Sequence, residues 1–282
     1  MNTKELYYIL LEKIKNYISP QELISTTTII MKDIFNFSTN DIIINKKINL
    51  NNTYIEKTIE NITKRLKKNE PIQYITGKCN FLNCKILLNK NVLIPRQETE
   101  EMVYNIIKIN LNNKKIVDMC SGSGCIGISI KKKYTNADVT CVDIDKKAIK
   151  LSEKNSKINN VKINFINEDI FNENIIEIGI FDILVSNPPY IPEDQKNTLE
   201  KKIILYEPHL ALFVKKDDPL IFYKRLNYII EKILNSNGLF FIEIHENFEK
   251  EIITLFNKEY IKNIEVHKDL NSKSRWISGK KI

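Results

Sequence analysis

The chain reads as an α/β protein, with a parallel, doubly wound sheet preceded by a small all-helical domain and a β-hairpin linker. Three observations carry this expectation. From about residue 115 onward, short apolar runs alternate with stretches of helical periodicity, which is the pattern of parallel strands joined by crossover helices. Before about residue 70 only helical spacing is found. From Tyr260 on, two strand-like runs flank a short polar loop, which predicts a closing antiparallel hairpin.

The elements follow in order. Leu6, Ile9, Leu10 and Ile14 recur at helical spacing. Ser19-Pro20 supplies an N-cap and a first-turn proline for a second helix. Tyr54, Ile55, Ile59, Ile62 and Leu66 form a third apolar stripe. These stripes are core faces rather than binding sites. Phe81 to Ile94 alternates and carries Asn89-Lys90-Asn91, which predicts the hairpin linker. A helix from Glu98 to Leu111 opens the larger domain. Strands are expected near 115–119, 138–143, 162–166, 181–186 and 238–244, with helices between them, and then at Tyr260–His267 and Arg275–Ser278. The expected domains are 1–70, a linker over 71–94, and 95–282.

Composition bounds the function. A length of 282 residues accommodates one large and one small domain, and 43% hydrophobic residues suffice for a core. No apolar run reaches the eighteen or so residues of a membrane span, and Met1-Asn2-Thr3-Lys4-Glu5 is no signal peptide. Five cysteines without a regular framework suggest reduced thiols in the cytoplasm. Cys120 and Cys125 flank a glycine turn, but no histidine cluster completes a zinc site, so no metal is expected. The net charge is +8, with small clusters at Lys64–Lys68 and Lys131–Lys133 that read as solvated helix faces. Direct nucleic-acid binding is not expected, although a general attraction to acidic partners is compatible with the charge.

Two motifs carry chemistry. In Ile116-Val117-Asp118-Met119-Cys120-Ser121-Gly122-Ser123-Gly124-Cys125-Ile126-Gly127 an apolar strand runs into a glycine-rich turn and a helix from Cys125 to Lys133. Such a turn allows close backbone approach by a ligand at a helix N-terminus. Val139-Thr140-Cys141-Val142-Asp143 is a second strand ending in an acid, and Asp143 follows Gly122 by about 20 residues, where a carboxylate can accept both ribose hydroxyls. By itself this pattern fits a dinucleotide-binding protein equally well. The second motif, Asn187-Pro188-Pro189-Tyr190, follows the buried strand Phe181–Val185. Two prolines fix their own φ and remove two amide donors. The turn then offers carbonyl acceptors, an asparagine oxygen and an aromatic ring, which suits a planar –NH₂ group. Gripping both N–H bonds of a conjugated nitrogen from one side exposes its lone pair to an electrophile on the other. This corner has no role in hydride transfer and an evident one in methyl transfer to nitrogen.

Together these residues resemble the amino subgroup of the class I S-adenosylmethionine methyltransferases, whose Rossmann-like sheet is mixed and seven-stranded, the last strand being inserted antiparallel. The likeness narrows with Glu70–Gly77, Val92-Leu93-Ile94-Pro95-Arg96-Gln97-Glu98-Thr99-Glu100, Tyr206-Glu207-Pro208 with Ala211-Leu212, and Asp269-Leu270-Asn271 with Arg275. These are similar to the HemK/PrmC family, which methylates the glutamine of the Gly-Gly-Gln motif in class 1 peptide-chain release factors. The resemblance spans about residues 70 to 282. It implies S-adenosyl-L-methionine as cofactor, S-adenosyl-L-homocysteine as product and a release factor as protein partner, docked by the helical domain. It further implies that Cys120, Ser121, Gly122, Ser123 and Gly124 cradle the methionine end of the cofactor. Cys120 stands where relatives often have glycine. Asp118 orients this loop or reaches the cofactor's amino group, Asp143 holds the ribose, Asp169 meets the adenine amino group, and Ile170 packs on the base. Asn187 and the Pro188 carbonyl take the substrate amide hydrogens; Pro189 stiffens the turn and Tyr190 packs against the glutamine. Arg96 and Glu98 fall where the family builds the site wall, and Glu207 braces the substrate loop. A DNA adenine-N6 methyltransferase, a ribosomal-protein glutamine methyltransferase and an inactive module on the same fold remain rivals. No target-recognition segment for DNA is visible, and the intact corner speaks against inactivity.

Overall fold

The computed structural model describes residues 1–269 and 271–282; Leu270, part of the Asp269-Leu270-Asn271 match, lies outside the described residues. Chain contacts define two compact units, one comprising Met1–Lys78 with Glu200–Tyr206, the other Cys79–Leu199 with Glu207–Ile282.

The first unit holds helices α1 (Thr3–Ile14), α2 (Pro20–Asp33), α3 (Thr39–Ile43), α4 (Asn52–Leu66) and α5 (Ile72–Thr76). Asn2 and Glu5 close a capping box on α1, and Ser19 caps α2 ahead of Pro20, so orphan amide donors are met at each start. Leu6, Leu10, Ile14, Ile30, Met31, Ile55, Ile59, Ile62 and Leu66 form one core. Ile9 and Tyr54, expected in the apolar stripes, are exposed instead, because each stripe is narrower than the spacing alone suggests. Within the Lys64–Lys68 cluster, Arg65 pairs with Glu70 at 2.6 Å and donates to the carbonyls of Tyr74 and Ile75, so it ties α5 to α4.

The hairpin is formed by β1 (Lys78–Phe81) and β2 (Cys84–Leu87), turning at Leu82 with φ 49°. The turn therefore precedes Asn89–Asn91, and residues 88–94 add no strand. The reason is local: the Ile94 N–H donates to Glu207 rather than to a ladder, and Pro95 has no N–H to give. On β2, Asn155 and Asn159 side chains donate to the carbonyls of Leu87 and Lys85 and accept from their N–H groups, which satisfies the strand edge.

The rest of the second unit runs α6 (Gln97–Ile106), β3 (Lys115–Met119), α7 (Cys125–Lys133), β4 (Asp138–Asp143), α8 (Lys146–Ile158), β5 (Asn164–Asn167), β6 (Phe181–Ser186) and β7 (Ile191–Pro192). Helix α9 (Lys201–Tyr206), which belongs to the first unit, comes next. The second unit resumes with β8 (Phe213–Val214), α10 (Ile221–Ile233), β9 (Leu234–Glu243), α11 (Glu249–Phe256), β10 (Ile261–Lys268) and β11 (Ser274–Lys281). Helix α6 stops short of the expected Leu111, and β9 begins before the expected 238 because α10 passes into it without a loop. The sheet order is β10-β11-β9-β6-β3-β4-β5, and β11 alone runs against both neighbours. The fold is thus α/β with a seven-stranded mixed sheet of the class I methyltransferase kind, preceded by a helical part. Val117, Met119, Val142, Leu184, Phe240 and Ile242 of the strands pack with Tyr223, Leu226 and Ile230 of α10 into one core.

Candidate active site

Register decides where the site lies. Met119 of β3 pairs with Val142 of β4 and with Ser186 of β6, and Ser186 pairs with Ile242 of β9. These strands are parallel, so the next residue of each emerges at the same level of the carboxyl edge. Those residues are Cys120, Asp143, Asn187 and Glu243. In open α/β sheets this edge is where ligands bind.

A cavity of about 280 Å³ opens there, wholly within the second unit. Cys120, Ser121, Gly122 and Ser123 line it together with Asp143, Asp169 and Ile170, and Asn187 and Pro189 line it as well. The glycine bend and the proline corner therefore share one cavity. Asp118, Gly124, Pro188 and Tyr190 are not among its lining residues. Neither are Arg96, Glu98 and Glu207, whereas their neighbours Pro95, Thr99 and Pro208 are.

The bend is held by carboxylates. Asp143 accepts from the Gly122 N–H at 2.7 Å and from the Asp145 N–H at 2.8 Å; burial raises its pKa and these two bonds oppose the rise. Asp118 lies beneath, fully buried, accepting from the Gly127 N–H at 3.1 Å. Burial pushes it up to about 7. Gly124 has φ +76°, and a Cβ there would come within 1.9 Å of the Ser152 hydroxyl oxygen, so only glycine fits. Cys120 takes φ 60°, a left-handed conformation that costs a side-chain-bearing residue about 1–2 kcal/mol. This is why glycine suits the position. The Cys120 thiol is pushed up by burial and by Asp143, and so stays protonated.

At the corner, the Ser186 hydroxyl donates to the Met119 carbonyl at 2.8 Å, and the Ile191 N–H donates to Leu212 at 3.0 Å. These bonds clamp both ends of Asn187–Tyr190. The Asn187 amide Nδ2 donates to Thr99 Oγ1 at 3.0 Å, and the Thr99 hydroxyl donates to Glu243 Oε2 at 2.6 Å. Tyr190 donates to Glu243 Oε1 at 2.9 Å, so its ring braces the corner from the core side. Thr99 and Glu243 were not anticipated as site residues. A lone acid in the apolar run Phe240-Phe241-Ile242-Glu243-Ile244 was the available signal. Nearby, Arg96 pairs with the buried Glu207 at 2.6 Å, and Glu207 also accepts from Ile94, which fixes the wall segment before α6.

The lining chemistry separates the candidate ligands. Asp143, Asp145, Glu168 and Asp169 line the cavity, and no lysine or arginine does among the described residues. A pyrophosphate would be repelled, whereas a cationic sulfonium is favoured. Phe171 and Phe222 meet edge to face at 5.1 Å beside Ile170, which offers an apolar slot for a planar base. The Ser121 hydroxyl and Asp118 Oδ1 are buried without a hydrogen-bond partner among the described residues. Unpartnered polar atoms beside an acidic cavity and a bend that turns on Gly124 fit S-adenosylmethionine. No group of three or more His, Cys, Asp or Glu that could hold a metal is found among the described residues.

Comparison with known proteins agrees. The family described as Methyltransferase small domain matches residues 98–210. A release factor glutamine methyltransferase of Flavobacterium psychrophilum is 37% identical over 84% of this chain and 84% of its own length. That of Bacteroides thetaiotaomicron is 33% identical over 95% and 96% respectively. Among solved structures, a methyltransferase from Pyrococcus furiosus aligns at TM-score 0.51 and 16% identity, covering 78% of this chain and 98% of its own. SMU.776, complexed with SAH, aligns at TM-score 0.51 and 17% identity over 71% and 53%. The structural neighbours speak for the fold alone.

Proposed function

The chain belongs to the release factor glutamine methyltransferase family, and we propose that it methylates the side-chain amide nitrogen (N5) of the glutamine in the Gly-Gly-Gln motif of class 1 release factors. The observation that carries this reading is the register that brings Asn187 and the glycine bend to one acidic cavity. When bound, S-adenosylmethionine supplies a methyl group on a sulfonium and departs as S-adenosylhomocysteine.

The protein's own residues do the rest by positioning. Asp143 receives the ribose hydroxyls, and the bend from Cys120 to Gly124, with Asp118 beneath it, holds the methionine end. Asp169 and Ile170 receive the adenine. The Asn187 oxygen and the Pro188 carbonyl each accept one amide hydrogen of the substrate, which orients the nitrogen lone pair away from them. Pro189 keeps further donors out, and Tyr190 stiffens the corner through Glu243. No base is needed before attack, because the proton leaves once the nitrogen is cationic. The residues around the corner supply fixed acceptors instead of a proton-transfer group.

We assign the helical first unit to docking the release factor, with no nucleic acid required. The setting is the cytoplasm, where the five cysteines, none of them in a disulfide, remain reduced. No helix among the described residues is long and apolar enough to cross a membrane. Incubation with labelled cofactor and three acceptors (release factor, ribosomal protein, DNA) tests the proposal. Label on the Gly-Gly-Gln glutamine alone is expected; label on either other acceptor in preference to it overturns the substrate assignment.

A further inference from the structure

We propose that Thr99 and Glu243 form a positioning relay that locks the Asn187 amide with its oxygen toward the cavity, so that Asn187 meets the substrate only as an acceptor. The inference rests on the glutamine-methylation reading above.

Asparagine presents a carbonyl and an –NH₂ group that are nearly isosteric. An unrestrained Asn187 could therefore turn over and face a substrate –NH₂ with its own donors, two donor groups opposed. The surroundings exclude this by counting protons. The Glu243 carboxylate only accepts, and its two oxygens take the Thr99 hydroxyl at 2.6 Å and the Tyr190 hydroxyl at 2.9 Å. Thr99 has one hydroxyl proton, and it is committed to Glu243. Toward Asn187 the hydroxyl can only accept, so it must be met by Nδ2, at 3.0 Å. The oxygen of the amide is left for the cavity that Asn187 lines.

The cost of the arrangement supports the assignment. Glu243 is 2% exposed, and a buried carboxylate is expensive unless it is hydrogen-bonded or paired. Both hydrogen bonds that it accepts go to residues of, or in contact with, the corner. Burial raises its pKa, and the hydrogen bonds from the Thr99 and Tyr190 hydroxyls act against that rise. The pieces arrive from separate elements: Thr99 from the first turn of α6, Glu243 from the end of β9, Asn187 and Tyr190 from the exit of β6. Sheet register alone aligns Glu243 with Asn187.

The test uses full-length Thr99→Val, Thr99→Ser and Glu243→Gln variants. Thr99→Val keeps the shape and removes the hydroxyl. Its kcat is expected to fall about 10- to 100-fold, with KM for the release factor and calorimetric Kd for S-adenosylhomocysteine close to those of the parent, and with a lower melting temperature because buried Glu243 loses one of its donors. Thr99→Ser should restore most of the rate. Glu243→Gln should also lose kcat, because its –NH₂ can donate to Thr99 and turn the Thr99 proton toward the Asn187 oxygen. A Thr99→Val enzyme with parental kcat, or a Thr99→Ser enzyme as impaired as Thr99→Val, overturns the relay. If the parent enzyme leaves the release factor unmethylated, the substrate assignment falls by itself. The relay is then decided by side-chain amide exchange of Asn187, its NMR signal identified by its loss in Asn187→Asp. Protection that disappears in Thr99→Val supports it, and no protection in the parent overturns it.

Discussion

The two walls of the cavity are built on opposite principles. The glycine bend after β3 is rich in backbone donors, and carboxylates tether it: Asp143 takes the Gly122 N–H and Asp118 takes the Gly127 N–H. The corner after β6 has been stripped of donors by Pro188 and Pro189, and its one side-chain amide is turned so that its donors face inward to Thr99. A bend ringed by acids suits a cation carrying hydroxyl and amino groups, which donate to carboxylates. A corner poor in donors suits an –NH₂ group. The difference between the walls, more than any single residue, matches the proposed transfer from a cationic donor to a conjugated nitrogen.

This contrast can be broken from either side. The largest effect is expected at the acceptor wall. Asn187→Ala should lower kcat by about 10³-fold, comparable with loss of a key transition-state hydrogen bond, while calorimetric cofactor affinity stays near parental. Near-normal turnover would remove Asn187 from its role. On the donor wall, Asp118 offers a pH test. Its pKa rises from 3.8 in the exposed chain to about 7 in the fold. Between those values the folded state holds a proton that the unfolded chain has released, so the stability it confers is present at low pH and is lost as pH rises through the window. Asp118→Asn should remove this slope. The stability difference between variant and parent, read by urea unfolding from pH 4 to 8, should shift in the variant's favour by on the order of 3 kcal/mol and level off above about pH 7. A pH-independent difference would mean that Asp118 is ionised throughout. The smallest effect is expected from Asp143→Ala, which should weaken calorimetric cofactor binding about 10- to 100-fold and leave kcat at saturating cofactor much less affected. An unchanged Kd would cancel the ribose assignment.

What was legible in the sequence tracks how local each constraint is. The glycine bend and helix α7 could be read residue by residue, because a positive φ and a helix start leave marks in the adjacent sequence. The proline corner was legible for the same reason. The strand–helix alternation and the closing hairpin followed from the sequence pattern, and the antiparallel insertion of the last strand from the family resemblance. The hairpin was misplaced because its turn residue, Leu82, carries no turn signature, while Asn89-Lys90-Asn91 does and leads only to an irregular segment. Thr99 and Glu243 were hidden because neither has a local signature; Thr99 reaches Asn187 from helix α6, and Glu243 reaches Thr99 and Tyr190 from β9, both far from the corner in the chain. Cys120 was legible as an oddity, and its φ of 60° gives the physical reason.

The return of Glu200–Tyr206 to the first unit has a consequence for dissection of the molecule. The polypeptide passes between the units three times, after Lys78, after Leu199 and after Tyr206. A shortened protein beginning at Cys79 would strand α9, whose Tyr206 hydroxyl bonds the Lys68 carbonyl and whose Lys202 pairs with Glu22. Removing the head therefore also unfastens a stretch that directly precedes Glu207, the carboxylate that anchors Arg96. Lost activity in such a truncation would report on that loosened strap as much as on a missing docking platform.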